Sequence, residues 1–527
     1  MAQKSWVLSN VDILDEIFQW FDYELTHGHP LVDLVSFIGY TPPPDVEAVR
    51  RRSLASAARV CKAFHDPAIR VLWRQLESLL PLFSLIGSSF AKVQENVKQP
   101  NGQPFCDIYH LPDRLSAHEW ARLTKYAAYV QVLYISSVLG PQSLTQESWE
   151  SMKVLFGNRS VCPNLRMLKW GARWPETELP GILHFLTPTI DKMLVVVYTI
   201  PLRTSFDLVP TWQAVIPGIV EEICKRARRL SHLTVSTGHL NASELLTVLS
   251  HSHPPTFRGL HLQGQHGTPP ISLSSFMDLA HITALESLQL NVPVECGPEA
   301  SLPAVLNLPH LRHLRLIHAY HKSHPAYSII TSSRLQLLHV NHMEYSSFAS
   351  LHYTCAAWEH SFPNLEVLAV RLRPSTLLMG IQTRSLLTAV RPLLNFRKMR
   401  SCTIGSSYAP FTIDDADLEA LSVAWPSLTK LDISSMSTWA GMPGLLSLAT
   451  NCPNLTALSI RSIVIRSEDI PGDVLQMVPM NHPLKTLVVV YGLPADTYHL
   501  IRDKLFPNIN LRPGLYGFEE ENSLYYA

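Results

Sequence analysis

The chain has 527 residues, 46% hydrophobic and only 16% charged, and its 43 Lys and Arg are matched by 43 Asp and Glu. There is ample material for a core, and zero formal charge argues against the broad positive surface that grips a phosphate backbone, so no nucleic-acid partner is expected. Eight cysteines without paired spacing and a longest apolar run of only Met193 to Tyr198 point to a reduced compartment, cytoplasmic or nuclear, with no membrane segment.

The opening MAQKSWVLSNVDILDEIF lacks an apolar run of signal-peptide length and carries Asp12, Asp15 and Glu16, so no secretory leader is expected. Residues 8–21 read as the first helix. Ile13, Leu14, Ile17, Phe18, Trp20 and Phe21 cover about 160° of its circumference, wider than an ordinary surface stripe. One reading is a well-buried helix; the other is a helix shared between its own neighbours and a second protein. Residues 22–46 break the pattern with His29-Pro30, Gly39 and Pro42-Pro43-Pro44, and a second helix is predicted from Glu47 to Val60.

From about residue 130 a phrase recurs: apolar, two free positions, apolar, one free position, apolar. Leu165-x-x-Leu168-x-Trp170 and Leu455-x-x-Leu458-x-Ile460 are examples. Further copies start at residues 230, 257, 285, 311, 335, 365, 428 and 484, and poorer ones at 130, 190 and 399. From residue 230 the starts lie about 24 to 34 residues apart, overlapping the leucine-rich-repeat range. In a short strand alternate residues face opposite ways, so the last two apolar residues of each phrase point inward together. One such strand cannot bury its apolar side, but a stack can. Proline two residues before the first leucine, as at Pro163, Pro309, Pro363, Pro426 and Pro453, stops the preceding helix. Helices are predicted at 243–250, 414–424 and 443–451. The Asn or Cys that usually follows the phrase is replaced by Ile463, Met436, Arg373, Met343 and Ala319, so the repeats are degenerate.

Leu8-Ser9-Asn10-Val11-Asp12-Ile13-Leu14-Asp15-Glu16-Ile17-Phe18 resembles the opening of an F-box, with Ser9 where proline usually stands. Val60-Cys61-Lys62 and Phe64 resemble its middle, and Trp73 its closing tryptophan. Leu111 to Leu115, with Trp120, Tyr126 and Val130, is similar to the connector before the repeats in fungal-type F-box proteins with leucine-rich repeats. The resemblance implies an α/β chain in which an N-terminal three-helix F-box-like module precedes a leucine-rich-repeat solenoid, or horseshoe. The expected partition is 1–80 for the module, with the insert at about 22–46, and 81–129 for a helical connector. Degenerate repeats would fill 130–512, and 513–527 would be a cap or tail.

The resemblance also implies a job. Such proteins are non-catalytic substrate-recognition subunits that bind a Skp-type adaptor, and through it a cullin, while the repeats hold a protein substrate. Leu8, Ile13, Leu14, Ile17 and Phe18 would face the adaptor or support that face, and Val60, Cys61, Phe64 and Trp73 would form the module's own core. The alternative is a repeat scaffold for protein interaction with no ubiquitin-ligase role.

In a horseshoe the residues between the inward ones line the inner face. His261, Gln289, His313, Arg315, His339, Asn341 and Arg371 then make a strip rich in His and Arg. It suits an acidic or phosphorylated segment of the target, with Arg315 and Arg371 as donors; the alternative is a solvated polar face. His318, His321 and His324 have zinc-like spacing, but Pro325 follows and no cysteine pair lies nearby, so no metal or other cofactor is assigned. Lys225 to Arg229 reads either as an import patch or as a helix end. No phosphate loop, nucleophile elbow or His-Glu-x-x-His is present, so no enzyme is expected.

Overall fold

The computed structural model describes residues 11–19, 44–93, 107–136, 142–172, 179–197, 215–237, 240–264, 268–295, 305–316, 329–345, 347–374, 384–406, 411–433, 437–438, 440–464, 482–490 and 495–513. The chain divides into two compact units. One comprises residues 1–240, 251–257 and 263–267; the other comprises 241–250, 258–262 and 268–527.

The first unit opens with helices α1 (Val11–Gln19), α2 (Pro44–Ala57) and α3 (Lys62–Arg74). Leu14 and Phe18 pack with Leu54, Ala58, Ala68 and Val71 in one apolar cluster. The Phe18 and Phe64 rings meet edge-on at 5.8 Å. Val60 and Cys61, expected in this core, are exposed. They occupy the turn between α2 and α3, and Cys61 is the extended residue that caps α3, so their side chains leave the helix-packing faces.

The connector is more mixed than the helical segment expected. Strand 91–93 pairs antiparallel with strand 107–110 before helix α4 (Ala117–Ala127). A reciprocal Ser116–Glu119 capping box opens α4 and satisfies donors that a helix start leaves orphaned. Trp73 from α3 packs on Tyr126 of α4 at 4.7 Å.

Parallel strands then follow in chain order: β1 (Gln75–Leu76), β2 (Val132–Ser136), β3 (Met167–Ala172), β4 (Lys192–Val197) and β5 (His232–Thr237). The second unit repeats the arrangement. Its strands are β6 (Gly259–Gly264), β7 (Ser287–Asn291), β8 (His313–Leu316), β9 (Leu337–Tyr345) and β10 (Val367–Pro374). After these come β11 (Ser401–Ser406), β12 (Lys430–Asp432), β13 (Ala457–Ile460), β14 (Thr486–Val489) and β15 (Asn510–Pro513). Every predicted phrase coincides with one of these strands, which begins two residues after the phrase's first apolar residue.

The register is phrase upon phrase. Leu288 pairs with Leu314, Leu314 with Leu338, Leu338 with Leu368, Leu368 with Cys402, Cys402 with Leu431, Leu431 with Leu458 and Leu458 with Leu487. All of them are buried. Each strand offers one apolar face, and the stack turns these faces into continuous cores, as leucine-rich-type repeats do.

The predicted helices appear as α5 (Ala242–Ser252), α6 (Asp415–Ala424) and α7 (Met442–Asn451). The prolines stand in tight turns between helix and strand. In Cys452-Pro453-Asn454-Leu455 the Leu455 amide donates to the Cys452 carbonyl at 3.0 Å, with proline at the second turn position that its fixed φ suits. These turns also carry ties that the missing Asn does not supply. Asn164 donates to the Ala128 carbonyl and Asn364 to that of Ser333, both at 2.7 Å, and Ser332 donates to that of Leu311 at 2.7 Å. Each bond joins one repeat to its predecessor.

Candidate functional site

The strand register places the strip in the second unit. Gln289 pairs with Arg315, Arg315 with His339, His339 with Ala369, Ala369 with Thr403, Thr403 with Asp432 and Asp432 with Ser459. His261 holds the same place on β6, between buried Leu260 and Leu262. Alternation along each strand turns these side chains to the face opposite the leucines.

The strip is not uniformly open. His261 is only 1% exposed and Gln289 5%, whereas Arg315, His339 and Arg371 are half-buried. Both ring nitrogens of His261 and the amide nitrogen of Gln289 are buried without a hydrogen-bond partner, as is the Asn291 side-chain oxygen. Arg315 Nε donates to His339 Nδ1 at 2.8 Å. An accepting Nδ1 leaves the proton of the neutral ring on Nε2.

The charge pattern differs from the expectation of a strip basic through both His and Arg. Burial, then the Arg315 charge, pushes His261 down to about 3. Burial, then Arg315 and Arg371, does the same to His339. Both rings are neutral at physiological pH, so the positive charge comes from the two arginines. Asn341 lies at a bulge between Val340 and Met343 of β9, opposite Arg371, where the ladder is locally re-aimed. His313 is half-buried one outward place earlier on β8.

The first unit carries a separate set. Ile17 is 45% exposed and Ile13 half-buried, while Leu14 and Phe18 are buried among α2 and α3. Only Ile13 and Ile17 of the predicted docking residues therefore present surface on α1; Leu8 lies outside the described residues. Lys225 and Arg226 end a helix and pair with Glu221 and Glu222 of the same helix, as a helix-end cluster does.

His318, His321 and His324 lie outside the described residues. Among the described residues no three His, Cys, Asp or Glu side chains are placed to hold a metal ion, and no helix is long and apolar enough to cross a membrane. Buried thiols are held protonated, with Cys355 pushed up to about 12 by its burial.

No family model matches the chain, and no curated protein matches it. Among solved structures it is similar to an internalin from Listeria monocytogenes, with 10% identity, TM-score 0.34, and coverage of 92% of this chain and 98% of that one. It is also similar to the yeast Rad7 and Elc1 complex, at 12% identity and TM-score 0.34, covering 92% of this chain and 100% of that one. A third likeness is to the leucine-rich repeat domain of APL1B, at 11% identity and TM-score 0.29, covering 69% and 84%. The repeat fold is carried by the strand register above and not by these likenesses.

Proposed function

We propose that this chain is the non-catalytic substrate-recognition subunit of a ubiquitin ligase of the Skp-adaptor, cullin and F-box type. In this reading α1 docks on the adaptor, the outward strip of β6 to β10 receives a protein target, and the protein works in the cytoplasm or nucleus. The observation that supports it most is α1 itself. An amphipathic helix anchored by Leu14 and Phe18 in a three-helix cluster keeps Ile17 45% exposed, the arrangement a helix-in-groove partner uses. A merely structural helix gains nothing from leaving that apolar side chain in water.

A pull-down tests this reading. Full-length protein is mixed with a Skp-type adaptor, then the measurement is repeated with Ile17→Asp and Ile13→Asp. Retention by the wild type and loss in Ile17→Asp, with an unchanged melting temperature, is the expected result. Failure of the wild type to retain adaptor rejects the ligase role and leaves a repeat protein for protein interaction. Leu14→Asp is no test, because it places a charge inside the cluster and destabilises the helices themselves.

A further inference from the structure

We propose that the groove between the helix Phe348–Ser361 and α6 receives a second copy of this chain, the two copies being related by a two-fold axis. The contact is separate from α1, which belongs to the other unit, so adaptor capture neither supports nor rejects it.

The groove has a local cause. The repeat between those two helices has only a short α-helix, Leu386–Val390, followed by a 3₁₀ turn, Arg391–Asn395, with Pro392 inside it. Proline cannot continue an α-helix, and the 3₁₀ turn that follows is the tighter structure. Both flanking helices touch this turn. Neighbouring helices pack about 8–10 Å apart, so axes two places apart stand roughly 16–20 Å from each other. One helix, about 10–12 Å across with its side chains, fits between them. The groove holds about 770 Å³, with Pro392 and Leu394 on the turn side, Glu359 on one helix, and Glu419, Ala420 and Val423 on α6.

The charges of the lining select the occupant. Arg391 and Arg397 complete it, so two acids and two cations share one groove. Arg397 donates to the Ala424 carbonyl at 3.4 Å. Among the described residues the Glu359, Glu419 and Arg391 side chains have no hydrogen-bond or ion-pair partner. Opposite charges thus line one groove without meeting. A segment of a single sign would meet a like charge somewhere in this lining, whereas a copy of the same surface brings both signs. A two-fold contact makes each pairing twice, i with j and j with i. The filler is also present. Ala416, Glu419, Ala420 and Val423 line the groove from α6 at spacings of three and four residues, which put them on one helix face. Two of the four are alanines, which let a second helix come close, and Val423 is 59% exposed, apolar area that the contact removes from water. With α6 of each copy laid in the groove of the other, Glu419 of one copy meets Arg391 of the other. The zero formal charge of the chain sets up no long-range repulsion against such pairing.

The test is sedimentation velocity of the full chain across roughly 1 to 100 μM, a span of weak to moderate dissociation constants. The wild type is expected to pass from monomer to dimer. Glu419→Arg and Arg391→Glu, each shown folded by circular dichroism, set like charges against each other twice and are expected to weaken the dimer by about tenfold or more. Mixing these two variants is the deciding measurement. In the mixed pair Arg at 419 of one copy faces Glu at 391 of the other, and the native Glu419 and Arg391 face each other at the second contact. Dimer is therefore expected to return in the mixture to near the wild-type level. Val423→Asp, a change at an exposed position, is expected to abolish the dimer alone and in the mixture. A wild type that stays monomeric throughout overturns the proposal and leaves the groove to a helix of another protein. A dimer unmoved by the single variants, a mixture that stays monomeric, or growth beyond dimer overturns it as well.

Discussion

Arg315 and His339 face each other across β8 and β9, and the arginine Nε donates to the histidine Nδ1 at 2.8 Å. The bond fixes one tautomer and places a permanent cation against the ring. Burial is the larger cause of the low His339 basicity and the arginine charges the smaller. Arg315→Ala is therefore expected to raise the His339 midpoint only part of the way from about 3 toward the ordinary histidine value near 6.5. An NMR titration of the imidazole signal checks this. Full recovery would mean that charge, not burial, dominates.

The same two rings set a pH dependence of stability. His261 and His339 titrate near 3 in the folded chain and near 6.5 when unfolded. Between those values the unfolded state binds more protons, so stability rises with pH and is lost as the solution is acidified through that window. Each histidine contributes a slope of about 1.4 kcal/mol per pH unit inside it. Urea unfolding at steps from pH 7 to pH 4 is expected to show a shallower decline in His261→Gln than in the wild type. Parallel curves would mean that His261 is protonated freely in the folded protein.

Residue spacing exposed the repeats because Leu-x-x-Leu-x-Leu is a backbone statement: period two along the strand, one proline turn before it. It failed where the phrase loses its apolar ends. β15 pairs Leu487 with Leu511 and Val489 with Pro513, so its phrase reads Asn508-x-x-Leu511-x-Pro513, polar at one end and proline at the other. It also missed short side pairings such as 271–272 with 294–295 and 411–413 with 437–438, which adjacent repeats impose on segments without periodicity. At the candidate site, spacing placed Arg315 beside His339 on the outward face. It could not report that His261 and Gln289 are buried, because burial there depends on the surroundings in three dimensions and not on the residues next to them in sequence. On α1 the apolar arc was visible, but its division into inward Leu14 and Phe18 and outward Ile17 required α2 and α3.

The in-and-out alternation has a direct mutational signature. Leu338 is fully buried and paired on both sides with leucines, so Leu338→Ala is expected to cost about 2–5 kcal/mol. Ala369, its diagonal neighbour on β10, is half-buried on the outward face, and Ala369→Ser is expected to stay within about 0.5 kcal/mol. Chemical denaturation of the two variants side by side measures the contrast. Similar losses for both would contradict the register.

A cap supplied by a neighbouring repeat gives the last expectation. α7 begins after Gly441, which has no side chain with which to cap it. Asp415, in the first turn of α6, takes over: its Oδ1 accepts from the Gly441 amide at 2.7 Å and from the Gly444 amide at 3.1 Å. A negative carboxylate at a helix N-terminus is also favoured by the helix dipole. The fit leaves no room. A Cβ on Gly441 would lie 2.6 Å from Asp415 Oδ2, and one on Gly444 would lie 2.5 Å from Oδ1 and 2.8 Å from Leu418 Cδ1. Asp415→Ala is expected to cost about 1–3 kcal/mol through the orphaned amides, and Gly444→Ala about 1–3 kcal/mol through overpacking. Because both act through the same carboxylate, the double variant should cost less than their sum. Strict additivity in a urea-unfolding double-mutant cycle would show that Asp415 does not hold the start of α7.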